Sequence, residues 1–298
     1  MKQNLILIKR NVKLFFKDKG MFFTSLITPA ILLVLYATFL ANIYRDSFTS
    51  ALPDIPDFPE KIVNALVGGQ LISSILAVSC VTVAFCSNFL MVQDKVSGAL
   101  CDLKTAPVKP AALAMNYYAA TLISSLVICF AATLLCLVYT AIAGWYMSVT
   151  DVLLLFADVF LLVLFGTALS SVINFFLSSQ GQISAVGTII SAGYGFISGA
   201  YMPISSFGEG MQNAMALLPS TYSTSLVRNH SLRGAFAAME KEGVPADALE
   251  EIKTSLDCNL AFFGNDVSVQ AMYCILAVTV FALIGIYILL NAYKKKKD

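Results

Sequence analysis

The chain runs to 298 residues, of which 58% are hydrophobic and 12% charged, against about 45–50% and about a quarter in an ordinary globular domain. That composition excludes a soluble globular domain and points to an integral membrane protein. A formal net charge of +1 offers no basic surface to a nucleic acid.

In residues 1–20, Leu5, Ile8, Val12, Phe15 and Phe16 share one helical stripe, with Arg10, Lys13 and Lys17 on the flank of another. This pattern predicts a helix lying in the cytoplasmic interface of the membrane. The apolar run behind it is longer than the roughly 7–15 residues of a signal peptide core, so it reads as a retained first span. Six apolar runs, near Met21–Tyr44, Ile62–Val92, Leu113–Ala141, Val152–Leu177, Ile183–Tyr201 and Val267–Tyr293, meet the length of about 20 residues required by a hydrocarbon core of about 30 Å. Pro29 is expected to kink the first of them. Residues 45–60 carry Pro53, Pro56 and Pro59 among Asp46, Asp54, Asp57 and Glu60, and read as an extended external connector.

Residues 92–106 form a charged island between the second and third runs. Val92, Val96, Ala99, Leu100 and Leu103 gather on one helical face, with Asp94, Lys95, Ser97, Gly98, Cys101, Asp102, Lys104 and Thr105 on the rest. The expectation is one amphipathic helix of about four turns, its polar face toward the cytoplasm, stopped by Pro107. Trp145 and Tyr146 suit an external interface. The turn at Ser178–Gln182 is so short that spans four and five are expected to be antiparallel neighbours. In the external residues 203–266, Gly208, Gly210 and Pro219 break an apolar stretch into short helices dipping into the outer leaflet. Leu249, Ile252, Leu256 and Leu260 then recur at helical spacing, which predicts a solvent-facing amphipathic helix. Residues 294–298 form a basic tail, and 13 of the 19 Lys and Arg fall on the side shared by both termini and the island. The positive-inside rule makes that side cytoplasmic.

Cys80, Cys86, Cys129, Cys136 and Cys274 fall in or near spans, Cys101 is cytoplasmic, and Cys258 stands alone outside, so no disulfide framework is expected. Asp158 is the one acid well inside a span. It serves either a proton- or cation-linked step or sits shallowly, reaching water or a Ser, Thr or Asn. His230, the only histidine, cannot make a metal site alone and reads as a surface residue. Gly195 and Gly199 have the spacing of a close helix contact. The chain contains no phosphate-binding loop.

"SGALCDLKTAP", Ser97–Pro107, resembles the cytoplasmic coupling segment of the ABC-2 type permeases, and "LLPSTYSTSLVR", Leu217–Arg228, resembles their Leu-Pro…Arg signature. Gly98, Leu100, Leu103 and Pro107 fall on the first pattern, with Asp94 and Lys95 in its lead-in; Ala99 stands where Thr is usual and Cys101 where Glu is usual. Docking should therefore lean on Asp94, Lys95 and Asp102. The resemblance implies an all-α membrane protein of six transmembrane helices with an N-terminal interfacial helix, a cytoplasmic coupling helix and external re-entrant helices. It also implies a permease of an exporter in a bacterial cell membrane, paired with a second permease, identical or related, and with two ATPase subunits that bind ATP and Mg. By the same analogy Leu76, Cys80 and Val83 of the second span and Ile190, Tyr194 and Ile197 of the fifth line the path. Spans without Lys or Arg suit an amphipathic, lipid-like, drug-like or peptide-like cargo. An ion-coupled secondary transporter and a membrane enzyme acting on lipids remain the alternatives.

Overall fold

The computed structural model describes residues 2–42, 45, 59–105 and 108–294. In chain order these form α1 (Lys2–Lys17), α2 (Lys19–Leu35, continued by a π-helical turn Tyr36–Leu40), α3 (Glu60–Val96), α4 (Ala99–Thr105), α5 (Pro110–Ala143), α6 (Val149–Phe176), α7 (Gln180–Ile197), α8 (Glu209–Ala216), α9 (Pro219–Lys241) and α10 (Ala246–Ser255). An antiparallel hairpin follows, β1 (Leu260–Phe262) and β2 (Asn265–Val267), and then α11 (Val269–Lys294). Most of the connector at 45–60, Tyr44, Pro107 and residues 295–298 of the basic tail lie outside the described residues.

Helix α3 is the axis of the bundle. It has no amphipathic stripe because it has no outer face: its apolar stretch is buried throughout, packed by α2, α5, α6, α7 and α9. The surrounding helices carry the lipid-facing surface. Phe23, Ile27, Ile31 and Val34 of α2 are exposed at spacings of three and four, and Val127, Leu134 and Val138 of α5 and Val278, Phe281 and Leu289 of α11 at spacings of three, four, seven and eight. Exposed apolar stripes on helices that also pack inward mark a protein whose solvent is lipid.

Among the described residues, four helices are long and apolar enough to cross a membrane, α3, α5, α6 and α11, and α1 with α2 makes a fifth candidate bent by 73°. Asp18 sits at that corner, where its side chain accepts the Met21 N–H at 3.1 Å and caps α2. Helix α7 has 18 residues, about 27 Å at 1.5 Å per residue, and stops at Ile197 instead of reaching Tyr201. Gly199, in a left-handed conformation at φ 70°, turns the chain there. The Ala200 and Tyr201 amides then donate to the Gly195 carbonyl at 2.9 and 3.0 Å. Gly195 and Gly199 thus serve this reversal, with the Tyr201 ring folded against Gly195, and not a contact between two helices. Nor are α6 and α7 packed side by side: the main partner of α7 is α3.

Outside the bundle, Ser148 and Asp151 form a reciprocal capping box at the start of α6. Beyond α9, the predicted amphipathic helix runs as α10, and its residues Leu249 and Ile252, with Leu256 and Leu260 beyond, are buried beneath it.

Candidate functional site

The island departs from the single four-turn helix expected of it. Helix α3 continues through Val96, and Gly98 at φ 84° breaks it. The left-handed conformation costs glycine nothing and other residues about 1 kcal/mol or more. Beyond it α4 starts afresh, the Cys101 amide donating to the Gly98 carbonyl at 2.9 Å, and runs for only seven residues. A stiff column and a short separate helix replace the amphipathic rod.

The break divides the predicted coupling residues into groups with different work. Asp94, expected on the cytoplasmic face, is buried. Arg10 of α1 donates to its two oxygens at 2.8 and 3.4 Å, and the Tyr117 hydroxyl of α5 donates to Oδ2 at 2.5 Å. The hydrogen bond to this carboxylate raises the Arg10 guanidinium above its already high ordinary pKa, against partial desolvation. Lys95 points the other way. Its Nζ donates to the carbonyls of Asn174, Phe175 and Leu177 at 3.0, 2.8 and 3.1 Å and lies 5.6 Å from the centre of the Phe175 ring. A cation there adds donors to carbonyls at the end of α6, where Asn174 otherwise accepts the Leu177 amide at 3.3 Å, and complements the helix dipole. Two adjacent residues therefore fasten the end of α3 to α1, α5 and α6 and leave neither charge for docking.

Leu100 and Leu103 are half-buried against a satellite core of Met91, Leu113, Tyr117, Tyr118 and Tyr287, so they seat α4 on the bundle. Cys101, Asp102 and Thr105 remain exposed. Of the charged residues expected to dock, Asp102 alone presents its side chain outward on this surface.

The predicted path residues are scattered. Leu76, Cys80 and Val83 are fully enclosed inside the protomer by the helices packed on α3. Tyr194 is buried, Ile190 half-buried and Ile197 exposed.

Two buried polar clusters were hidden in the sequence. Arg228 of α9 pairs with Asp257 at 2.8 Å and donates to the Gly199 carbonyl at 2.6 Å. Asp257 also accepts the Ile204 and Ser205 amides at 2.6 and 3.1 Å. This joins α9, the end of α7 and the segment after α10. His230, read as a surface residue, is buried, its Nδ1 2.6 Å from Oδ2 of Asp158, and Tyr273 donates to Oδ1 of the same acid at 2.5 Å. Asp158 is thus neither shallow nor paired with Ser, Thr or Asn. The sequence signals were the Arg that closes the Leu-Pro…Arg motif, and a lone histidine and a lone span acid that complement each other. Among the described residues no three metal-ligating side chains gather.

The family model of the ABC-2 type transporter matches residues 2–230, from α1 to the middle of α9. The chain belongs to the ABC-2 type transporter family. A comparison with curated proteins finds no match. As an ABC-2 transporter it is a multi-pass membrane protein and a permease, not itself an ATPase. Both the Asp94–Lys95 fastening and Arg228 lie within the matched part of this ABC-2 permease, whereas Asp257 and Tyr273 lie beyond it.

Proposed function

We propose that this ABC-2 permease is the transmembrane subunit of an ATP-driven exporter, with both termini in the cytoplasm of a bacterial cell and six spans counting α2 and α7. It pairs with a second permease copy or relative and with two ATPase subunits that hold ATP and Mg. It moves an amphipathic, lipid-like, drug-like or peptide-like cargo outward.

The observation that carries this reading is the attachment of α4. A seven-residue helix with an exposed face of Cys101, Asp102 and Thr105 hangs from Gly98 at the end of the enclosed α3. A push on α4 is delivered to α3 through Leu100 and Leu103. The Asp94 and Lys95 contacts pass it on to α1, α5 and α6 at once, because packed helices move as rigid bodies. The interfacial helix α1 is tied into the same unit through Arg10. Closure of the ATPases would therefore shift several helices together.

The test is to look beside this reading frame for a phosphate-loop ATPase and to reconstitute the two in lipid. The expected outcome is ATPase activity stimulated by cargo in the wild type and stimulation lost in Asp102→Lys, with insertion unchanged. Stimulation at the wild-type level in Asp102→Lys removes α4 as the docking element.

A further inference from the structure

Asp158 of α6 and His230 of α9 meet in the interior, with the half-buried Tyr273 of α11 against them. Asp158 is fully buried, with His230 Nδ1 on Oδ2 at 2.6 Å and the Tyr273 hydroxyl on Oδ1 at 2.5 Å. No charge from the packed elements reaches them. Helix α3 has no charged residue between Ile62 and Val92, where its titratable groups are the thiols of Cys80 and Cys86, and α11 has none between Val269 and Tyr293, with the exposed Cys274 beside Tyr273. On α6, Asp151 pairs with Arg233. On α9, Arg228 is held by Asp257 and the Gly199 carbonyl, and the Tyr222 hydroxyl donates to the Ala216 carbonyl.

The charge balance follows. With a proton shared between carboxyl and imidazole the cluster is neutral; without it a bare carboxylate remains in a site closed to water, which is strongly disfavoured.

We propose that Asp158, His230 and Tyr273 form a proton-binding site whose shared proton locks α9 onto α6 and α11. This site is independent of the ATP-driven reading. The proton leaves only when water reaches the cluster, so its release and the loosening of α9 are linked. The packed arrangement holds the proton, so the stabilisation is complete at low pH and is lost as pH rises through the titration. Loosening is passed on: Ser231 of α9 donates to the Gly69 carbonyl of α3 at 3.0 Å, and Arg228 holds the end of α7. Proton release therefore frees α9 and the end of α7, two of the five helices packed on α3.

The experiment compares thermal unfolding of the full chain in lipid from about pH 5 to about pH 8, the window in which imidazoles titrate. The wild type is expected to lose several degrees of melting temperature as pH rises. The double variant Asp158→Asn/His230→Gln, which keeps hydrogen-bonding groups but no exchangeable charge, is expected to stay flat. Equal slopes in the two proteins overturn the proposal. If the variant does not fold, pH-difference infrared spectra of the wild type decide, since His230 is the only histidine and its imidazole band has one source. A carboxyl and an imidazole band titrating together support the site, and no titrating band overturns it.

Discussion

Arg10 Nη1 stands 2.8 Å from Asp94 Oδ2, and this contact joins the interfacial helix α1 to the end of the most enclosed helix, α3. Because Tyr117 donates to the same oxygen, three helices converge on one carboxylate. Arg10 keeps about a third of its side chain in solvent while Asp94 is almost wholly buried.

Replacing Asp94 by Asn therefore leaves Arg10 able to find water and keeps a hydrogen-bond acceptor for Tyr117. The expected loss is about 1–2 kcal/mol, between a surface pair and a buried one. Thermal unfolding reads it, and trypsin should cut sooner at Lys9 and Lys13 as α1 comes away.

Gly98→Ala asks an L-residue to hold φ 84°. No atom lies within 4 Å of the added methyl, so the cost is backbone strain alone, about 1 kcal/mol. Gly98→Asn should recover part of it, since Asn tolerates this region better. Stimulated ATPase activity should rank wild type, Asn, Ala; an Ala variant equal to wild type would show that the hinge geometry is not used.

Leu100→Asp with Leu103→Asp removes the seat of α4, whereas Asp102→Lys changes only its exposed face. Both should abolish coupling, but only the first should lower the melting temperature. The pair separates seating from docking.

Arg228→Ala strands Asp257 in the interior and frees the Gly199 carbonyl. Removing one partner of a buried pair costs about 3–5 kcal/mol. Arg228→Lys should recover only part of this, because an ammonium does not reproduce the two-sided reach of a guanidinium. Denaturation midpoints check the ranking.

Cys101 is exposed and Cys258 buried, and burial pushes the Cys258 thiol up to about 12. A water-soluble maleimide at neutral pH should label Cys101 within minutes and spare Cys258, since the thiolate is the reactive form. In sealed inverted vesicles, labelling of Cys101 also checks that α4 faces the cytoplasm.

Local patterns were the readable part. Apolar runs mark α3, α5, α6 and α11 because crossing lipid requires a continuous apolar stretch, and the stripe of α10 marks one buried face. Partners were not readable. Asp94 and Lys95 fit the polar face of an island helix, and only Arg10, 84 positions away, and the α6 carbonyls show them turned inward. Helix α9 was less legible, because a stretch broken by Gly208, Gly210 and Pro219 reads as short helices dipping into the outer leaflet, not as one helix of 23 residues with buried Ser and Thr. Buried, they satisfy themselves: the Ser223 and Thr224 hydroxyls donate to the Ser220 carbonyl at 2.6 and 3.3 Å, a bond that periodicity cannot register. The glycine at 98 was visible, but its positive φ was not.

The enclosure of α3 also bears on how the protein is made. Of the five helices that surround it, α5, α6, α7 and α9 lie after it in the chain. During synthesis α3 must therefore enter the bilayer before most of its wrapping exists, with Gln70, Ser73, Ser74 and Asn88 turned to lipid or to the insertion machinery. Completion of the fold waits on α9, and a chain truncated before Pro219 leaves its central helix as the segment most open to quality control.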